Sequence, residues 1–353
     1  IQIKESTQIA LTFTRASVAY LSDGTQVASG QPRFEPGKFG QGVLIEEETT
    51  NRIDPSLFTV YPNAMATRTI QSGGEFDGWY KVVATQAGYS GLIAYLASSL
   101  VEVNEQVSFG VDFYSPSGNI KVAVGGGVLP VDMDFIRNYR YGKTWLNDTG
   151  AIQSMTVYFQ NKNLTPGVIN ETFYYRFYQV EAKPFPTSFV DGTRAAEVLT
   201  IPTAEVLNPQ EGTWALWVYV DSMARRQVAN QWPTIFRIPG VSGVGIWLYH
   251  DNDTATWGLQ TQNDAGTLSV ADCPDSCTPD GWHHFVVTWK SGEVALFIDG
   301  VRRITITNPN TPSRFAANAY IGSYAGSADF LNTVFDELRI DKIARTDAEI
   351  ADW

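Results

Sequence analysis

The sequence predicts an all-β protein built from antiparallel β-sandwiches. Three observations carry this: residues 281–300 read as a β-hairpin, period-two segments recur between turn clusters, and helix signals are sparse. In GWHHFVVTWKSGEVALFIDG, apolar Trp282, Phe285, Val287 and Trp289 are interrupted by His283, His284 and Thr288. Val294, Leu296 and Ile298 then alternate with Ala295 and Phe297, so both faces of the hairpin are partly covered. Ser291-Gly292 and Asp299-Gly300 are dipeptides that tolerate positive φ and close the two turns.

Further strands are expected at residues 91–96 (GLIAYL), 107–114 (VSFGVDFY), 120–124 (IKVAV), 152–159 (IQSMTVYF) and 171–180 (ETFYYRFYQV). Turn clusters at 115–118 (SPSG) and 147–150 (NDTG) separate them. The best helix signal is the last nine residues, where Thr346 followed three places on by Glu349 has capping-box spacing. At 353 residues the chain is long enough for two domains.

Charge excludes some partners. Twenty-five Lys and Arg against 37 Asp and Glu leave a net charge of −12 without a basic run, which disfavours nucleic acid and anionic membrane. No apolar stretch approaches the roughly 18–20 residues of a membrane span. The chain begins with Ile rather than Met, the expectation being a mature or trimmed product.

The 281–300 hairpin resembles the laminin-G-like, concanavalin A-like jelly-roll family. So do residues 319–322 (AYIG), the closing segment 335–353 (FDELRIDKIARTDAEIADW), 37–45 (GKFGQGVLI) and 198–220 (VLTIPTAEVLNPQEGTWALWVYV). The last two pieces follow one another directly in that family, whereas here about 140 residues separate them. The resemblance therefore implies a jelly roll of residues 1–49 plus 188–353, with residues 50–187 inserted. The insert resembles a carbohydrate-binding-module sandwich ending in FYYRFYQVEA. Insertion at a loop tip leaves a host core intact.

The flanks carry a narrower resemblance. Residues 12–17 (TFTRAS), 32–35 (PRFE), 42–47 (GVLIEE), Thr50-Asn51, 179–189 (QVEAKPFPTSF) and 193–201 (TRAAEVLTI) resemble a block order of tailed-phage virion and tail-associated proteins. In those proteins the blocks bracket a carbohydrate-binding-like module.

Sugar recognition uses aromatic faces beside short polar side chains. Candidates in the insert are Trp79, Tyr80, Tyr139, Tyr141 and Trp145, the last beside Asn147 and Asp148. In the jelly roll they are Trp232, Trp247, Tyr249 and Trp257. Trp247 and Tyr249 lie two apart and share a face, and sheet packing explains them as well as sugar binding does. Trp232, in Asn-Gln-Trp-Pro, reads as an exposed loop ring; Trp214 and Trp217 fall on opposite faces, so one is core.

No enzyme is expected. The E-x-D-x-x-E string of concanavalin-type glycosidases, whose retaining chemistry needs two carboxyls about 5 Å apart, is absent. The nearest strings are residues 131–134 (VDMD), where Asp132 and Asp134 share a face if extended but a polar loop after Gly125-Gly-Gly127 reads as well, and 335–338 (FDEL), whose Asp336 and Glu337 belong to the closing motif. Three histidines, two of them adjacent on one strand, make no Ser-His-Asp set. Cys273 and Cys277 are too few for a zinc site and suit either a loop disulfide or two free thiols. The family resemblance implies a structural Ca²⁺, for which Asp23 and Asp336 are the candidates.

The function expected from these readings is non-enzymatic glycan binding by a virion-surface or extracellular protein, a phage tail-associated adhesin that recognises host carbohydrate. Its partners would be cell-surface glycans and other virion or surface proteins, with a homo-oligomer open. Two alternatives stand beside it: a purely structural capsid or tail decoration, and a noncatalytic targeting region of a secreted polysaccharide-degrading enzyme.

Overall fold

The computed structural model describes residues 11–54, 57–126, 129–133, 141–146, 150–183, 187–221 and 230–353. Nearly all regular structure is antiparallel β. The chain divides into two compact units, one of Ile1–Leu21, Val27–Glu48 and Ala195–Trp353, the other of Ser22–Gln26 and Thr49–Arg194.

The first unit holds two seven-stranded sheets. One runs in the order Thr12–Thr14, Val198–Pro202, Asn318–Ile321, Thr234–Gly240, Gly243–Asp251, Thr256–Gln262, Leu268–Pro274. The other runs Val301–Thr307, Glu293–Ile298, Gly281–Lys290, Gly212–Val220, Thr333–Asp341, Gln41–Ile45, Arg33–Pro36. Alternation decides what lies between them: Trp214, Leu216 and Val218 of one strand, and Phe285, Val287 and Trp289 of its neighbour, join Phe236, Leu248, Trp257 and Leu259 in one core.

The predicted hairpin forms with Lys290 opposite Glu293 and Trp289 opposite Val294. Asp299 and Gly300 adopt φ of 52° and 75°, which closes the next turn. Trp282 departs from its expected grouping with Phe285: being an odd number of residues away, it lies on the outer face opposite Tyr219. On that outer face Ala215, Val286, Ala295 and Phe297 are covered by Ile350, with Trp353 packed beside them. The helix Asp347–Ala351 that carries Ile350 is started by the Thr346/Glu349 capping box.

The second unit holds two five-stranded sheets. One runs Leu129–Met133, Ile120–Gly126, Gln153–Asn161, Leu92–Val101, Thr59–Val60; the other runs Tyr141–Leu146, Gln106–Tyr114, Gly167–Glu181, Tyr80–Ala87, Met65–Ile70. Its core joins Ile93, Leu96, Val107, Phe113, Phe159, Phe173 and Tyr175.

The flanking sequence blocks become two buried polar networks. In the first unit the Arg33 guanidinium donates to Glu197 Oε1 at 2.7 Å and to Glu46 Oε2 at 2.7 Å, and Arg15 donates to Glu197 Oε1 at 2.7 Å. Burial works against the charge of Arg33, but Glu197 and Glu46 more than offset it and raise its pKa. In the second unit the Glu181 carboxylate accepts from Thr49 Oγ1 at 2.6 Å, Gln179 Nε2 at 2.7 Å, and the amide and hydroxyl of Thr187. Asn51 donates to the carbonyls of Tyr178 and Val190 and accepts from the amides of Val180 and Ile53.

Removing one member of the first network strands buried charge. Glu197→Ala, which leaves two guanidiniums without their shared partner, is expected to destabilise the first unit by about 3–5 kcal/mol in guanidinium denaturation. Asp347→Ala at the exposed Arg302–Asp347 pair, where the Asp347 side chain is 60% exposed, is expected to cost far less. Equal losses would remove the network from its structural role.

Candidate functional site

Alternation that sends Phe236, Leu248, Leu259 and Cys273 inward sends Arg237, Trp247, Tyr249, Gln260 and Asp272 to the outer face of the first sheet. There Trp247 and Tyr249 lie 4.3 Å apart between ring centroids, and Tyr324 meets Trp247 edge-on at 4.9 Å. The Arg237 guanidinium sits 3.7 Å from the Tyr324 ring centroid. Tyr249 can lie flat because its neighbour on the next strand is Gly258, where a Cβ would come within 2.4 Å of Tyr249 Cζ.

Trp247 Nε1 donates to Thr234 Oγ1 at 3.0 Å, and Thr234 Oγ1 donates to the Trp232 carbonyl at 3.2 Å, while the Trp232 amide donates to Asp329 Oδ1. The Trp232 backbone is thereby tied, through Thr234, to the Trp247 indole. Trp247 and Tyr249 are 8% and 6% exposed and form a floor; Trp232, Tyr320 and Tyr324 are half-buried, and Asp272 is exposed.

Electrostatics mark the same patch. Burial, then the charges of Asp272 and Asp251, push the Tyr249 phenol up to about 12. Burial, then Asp251, raise the Asp272 carboxyl, and burial lowers the Arg237 pKa. The face therefore offers ring surfaces, a neutral phenol, two carboxyl groups and a stacked guanidinium.

Trp257 belongs elsewhere. It pairs with His250 and Cys273, faces the core at 0% exposure, and donates its Nε1 to Thr278 Oγ1 at 2.9 Å. It offers no ring face to a ligand. Nothing local distinguishes it from Trp247; the partner sheet decides which face is covered.

In the second unit Trp79 is 8% exposed beneath the Arg176 guanidinium at 4.6 Å, and Arg176 pairs with Asp112 at 3.0 Å. Phe76, which the sequence did not single out, stacks on Tyr174 at 4.0 Å and Tyr114 at 5.4 Å and meets Trp79 edge-on. Tyr80 turns the other way, onto Tyr175 at 5.2 Å and Arg68 at 4.5 Å. The backbone of Tyr141 pairs with Val111 and that of Trp145 with Val107. Tyr139, Asn147, Asp148 and Asp134 lie outside the described residues, and Asp132 is in the strand Leu129–Met133.

The remaining candidates serve local structure. Asp23 Oδ1 accepts from the Thr25 amide at 2.7 Å. The two Asp336 oxygens accept from the amides of Phe39 at 2.9 Å and Glu337 at 2.8 Å. No three His, Cys, Asp or Glu side chains gather as a metal site among the described residues. Where a disulfide is one expectation, Cys273 and Cys277 are free thiols. Cys277 is lowered to about 7, first by its hydrogen bond with Cys273.

The two histidines face opposite ways. His284, on the outer side, is lowered to about 4 by burial and Arg339. His283 faces the Asp299 carboxylate at 2.6 Å through Nδ1 and the Pro279 carbonyl at 2.6 Å through Nε2, so both ring nitrogens donate when it is protonated.

Sequence and fold comparisons place these features. Residues 191–351 match the family model Laminin_G_3, described as the concanavalin A-like lectin/glucanases superfamily, which supports the jelly-roll family for that segment. No curated protein matches the sequence. Among solved structures, the receptor binding domain of botulinum neurotoxin C/D mosaic serotype is 11% identical with a TM-score of 0.36, covering 44% of this chain and 39% of that one. Domain 4 of an extracellular arabinanase from Geobacillus stearothermophilus, in complex with arabinotriose, is 22% identical with a TM-score of 0.33, covering 44% and 72%. The Ruminococcus gnavus IT-sialidase CBM40 is 13% identical with a TM-score of 0.33, covering 41% and 82%.

Two expectations follow for the local roles. Burial opposes the charge of His283, but its bonds to Asp299 and Pro279 outweigh it and raise its pKa above the ordinary 6.5. Its stabilising contribution is therefore complete below that ordinary value and lost as pH rises through the folded one. The Asp299 carboxyl is depressed despite burial, so its share is lost at the acid end. Thermal melting of wild type should fall as pH rises above the ordinary histidine value of 6.5, and His283→Gln should flatten that fall; an identical profile removes the histidine from the pH dependence. For Asp336, the Asp336→Ala protein should melt a few degrees lower with calcium or with chelator alike, whereas a drop seen only with calcium would restore the ion.

Proposed function

We propose that this protein is a non-enzymatic glycan-binding protein of a virion surface or other extracellular setting, a tail-associated adhesin that engages host-surface carbohydrate. The observation that carries the binding reading is the outer face of the first seven-stranded sheet. There Tyr324 and the Trp247–Tyr249 floor adjoin Arg237, Asp251 and Asp272, and the half-buried Trp232 is tied by its backbone to Thr234 beside Trp247. Pyranose C–H faces stack on such rings, sugar hydroxyls donate to carboxylates, and the guanidinium donates to ring and hydroxyl oxygens. The lectin/glucanase family match over residues 191–351 supports the same reading.

The virion and tail assignment draws on the order of the flanking blocks, TFTRAS through TRAAEVLTI. Nucleic acid and membrane are not among the partners we assign, in keeping with the net charge of −12. No described helix is long and apolar enough to cross a membrane.

A glycan array probed with the intact chain tests the reading. Selective binding is expected, weakened at least tenfold by Tyr324→Ala or Trp232→Ala, the loss typical of an aromatic anchor at a binding hot spot. Bound polysaccharides should release no new reducing ends. A folded protein silent across bacterial and plant glycans would favour the structural virion component instead, and reducing-end release would make it an enzyme.

A further inference from the structure

The outer face of the second seven-stranded sheet carries another set of rings. Trp217 and Tyr219 lie two apart on Gly212–Val220, opposite His284 and Trp282 respectively on Gly281–Lys290. At about 3.3 Å rise per residue, alternate rings on one strand stand about 7 Å apart, so the four make a two-by-two array. Trp217 stacks on His284 at 5.0 Å and 16°, Tyr219 meets Trp282 edge-on at 5.6 Å, and Phe39 meets Trp217 edge-on at 5.5 Å. Phe39 is 61% exposed and Tyr219 37%, with Trp217 and Trp282 half-buried.

The aliphatic part of this face already has its cover, since Ala215, Val286 and Ala295 lie under Ile350 with Trp353 alongside. What the C-terminal helix leaves open is aromatic and polar. The Lys38 ammonium lies 4.8 Å from the Trp217 ring centroid, and the Asp336 carboxylate, bonded to the Phe39 amide, holds that turn in place. Gly37 makes this close approach possible, because a Cβ there would stand 2.6 Å from Asp336 Oδ2. The exposed rings of Phe39 and Tyr219, with the Lys38 ammonium and the Asp336 carboxylate close by, suit the C–H faces and hydroxyls of a saccharide, whereas a protein partner draws on the aliphatic surface that Ile350 has taken.

We propose that Tyr219, Trp282 and Phe39, beside Trp217 with the Lys38 ammonium over its ring, form a second carbohydrate-binding site on the sheet opposite the Tyr324 face. The inference rests on the glycan-binding reading above and extends it: one jelly roll engages a polysaccharide through two faces. Two sites on one chain raise avidity toward a repeating polymer without any new contact.

The test is affinity electrophoresis of the full chain in native gels cast with arabinan, xylan or a bacterial capsular polysaccharide. Four proteins are compared: wild type, Tyr324→Ala, the exposed-ring double variant Phe39→Ala/Tyr219→Ala, and the triple combination, each confirmed folded by its melting transition. Retardation of wild type is expected, with the double variant weakened about tenfold and the triple variant released. A double variant retarded like wild type overturns the second site while leaving the first. Loss accompanied by a change from dimer to monomer in light scattering makes this face a contact between copies and overturns it equally. Absence of retardation for wild type in every gel sinks the glycan reading, and the second site with it.

Discussion

The buried set of Arg15, Arg33, Glu46 and Glu197 is the constraint on which the jelly roll depends. Each residue comes from a different short segment: Arg15 follows Thr12–Thr14, Arg33 opens Arg33–Pro36, Glu46 follows Gln41–Ile45 and Glu197 precedes Val198–Pro202. Two of those strands lie in one seven-stranded sheet and two in the other. Two cations and two anions balance, and the Glu46 amide also donates to Glu197 Oε2 at 3.0 Å. Burying an ion is expensive unless its partners are in place. The set is therefore satisfied in only one alignment of the four segments, at the place where the chain leaves the unit after Glu48 and returns at Ala195. Apolar residues could fill the same space without imposing that alignment.

This gives the flanking sequence blocks a physical meaning. TFTRAS contributes Arg15, PRFE Arg33, GVLIEE Glu46 and TRAAEVLTI Glu197. Asn51, Gln179, Glu181 and Thr187 from the remaining blocks build the second network, around strand ends brought together by the pairing of Thr49–Thr50 with Thr193–Arg194. The blocks act in folding, by closing the ends of two units. The sheet faces to which we assign recognition carry no comparable block.

Each sheet of the first unit has one face committed to the core and one face left for other work. On the first sheet the outer residues are held by specific devices: Gly258 leaves room for Tyr249, Thr234 orients Trp247, and Arg237 lies on Tyr324. On the second sheet Ile350 and Trp353 cover the aliphatic part and leave the ring array of Trp217 and Tyr219. His283 and His284 illustrate the same division. One is held between the Asp299 carboxylate and the Pro279 carbonyl, and burial lowers the pKa of its neighbour on the opposite face, beneath Trp217.

The all-β class, the 281–300 hairpin, the C-terminal capping box and five strands of residues 50–187 were legible because each depends on neighbours two to four places away, through alternation, turn dipeptides and caps; Met65–Ile70, Tyr80–Ala87, Leu129–Met133 and Tyr141–Leu146 were not read. The shared face of Trp247 and Tyr249 was legible for the same reason. That Trp257 is core while Trp247 is not could not be read, since both sit in alternating strands and only the partner sheet chooses which face it covers. Tyr324, Arg237 and Asp272 were missed because strand order, rather than chain order, brings them to Trp247 and Tyr249. The sequence by itself determined the all-β class and the most strongly alternating strands with their turns, since those preferences are local. Only the tertiary structure decided which side of each sheet faces the core and which distant charges meet, because burial and ion pairing depend on what stands opposite in space.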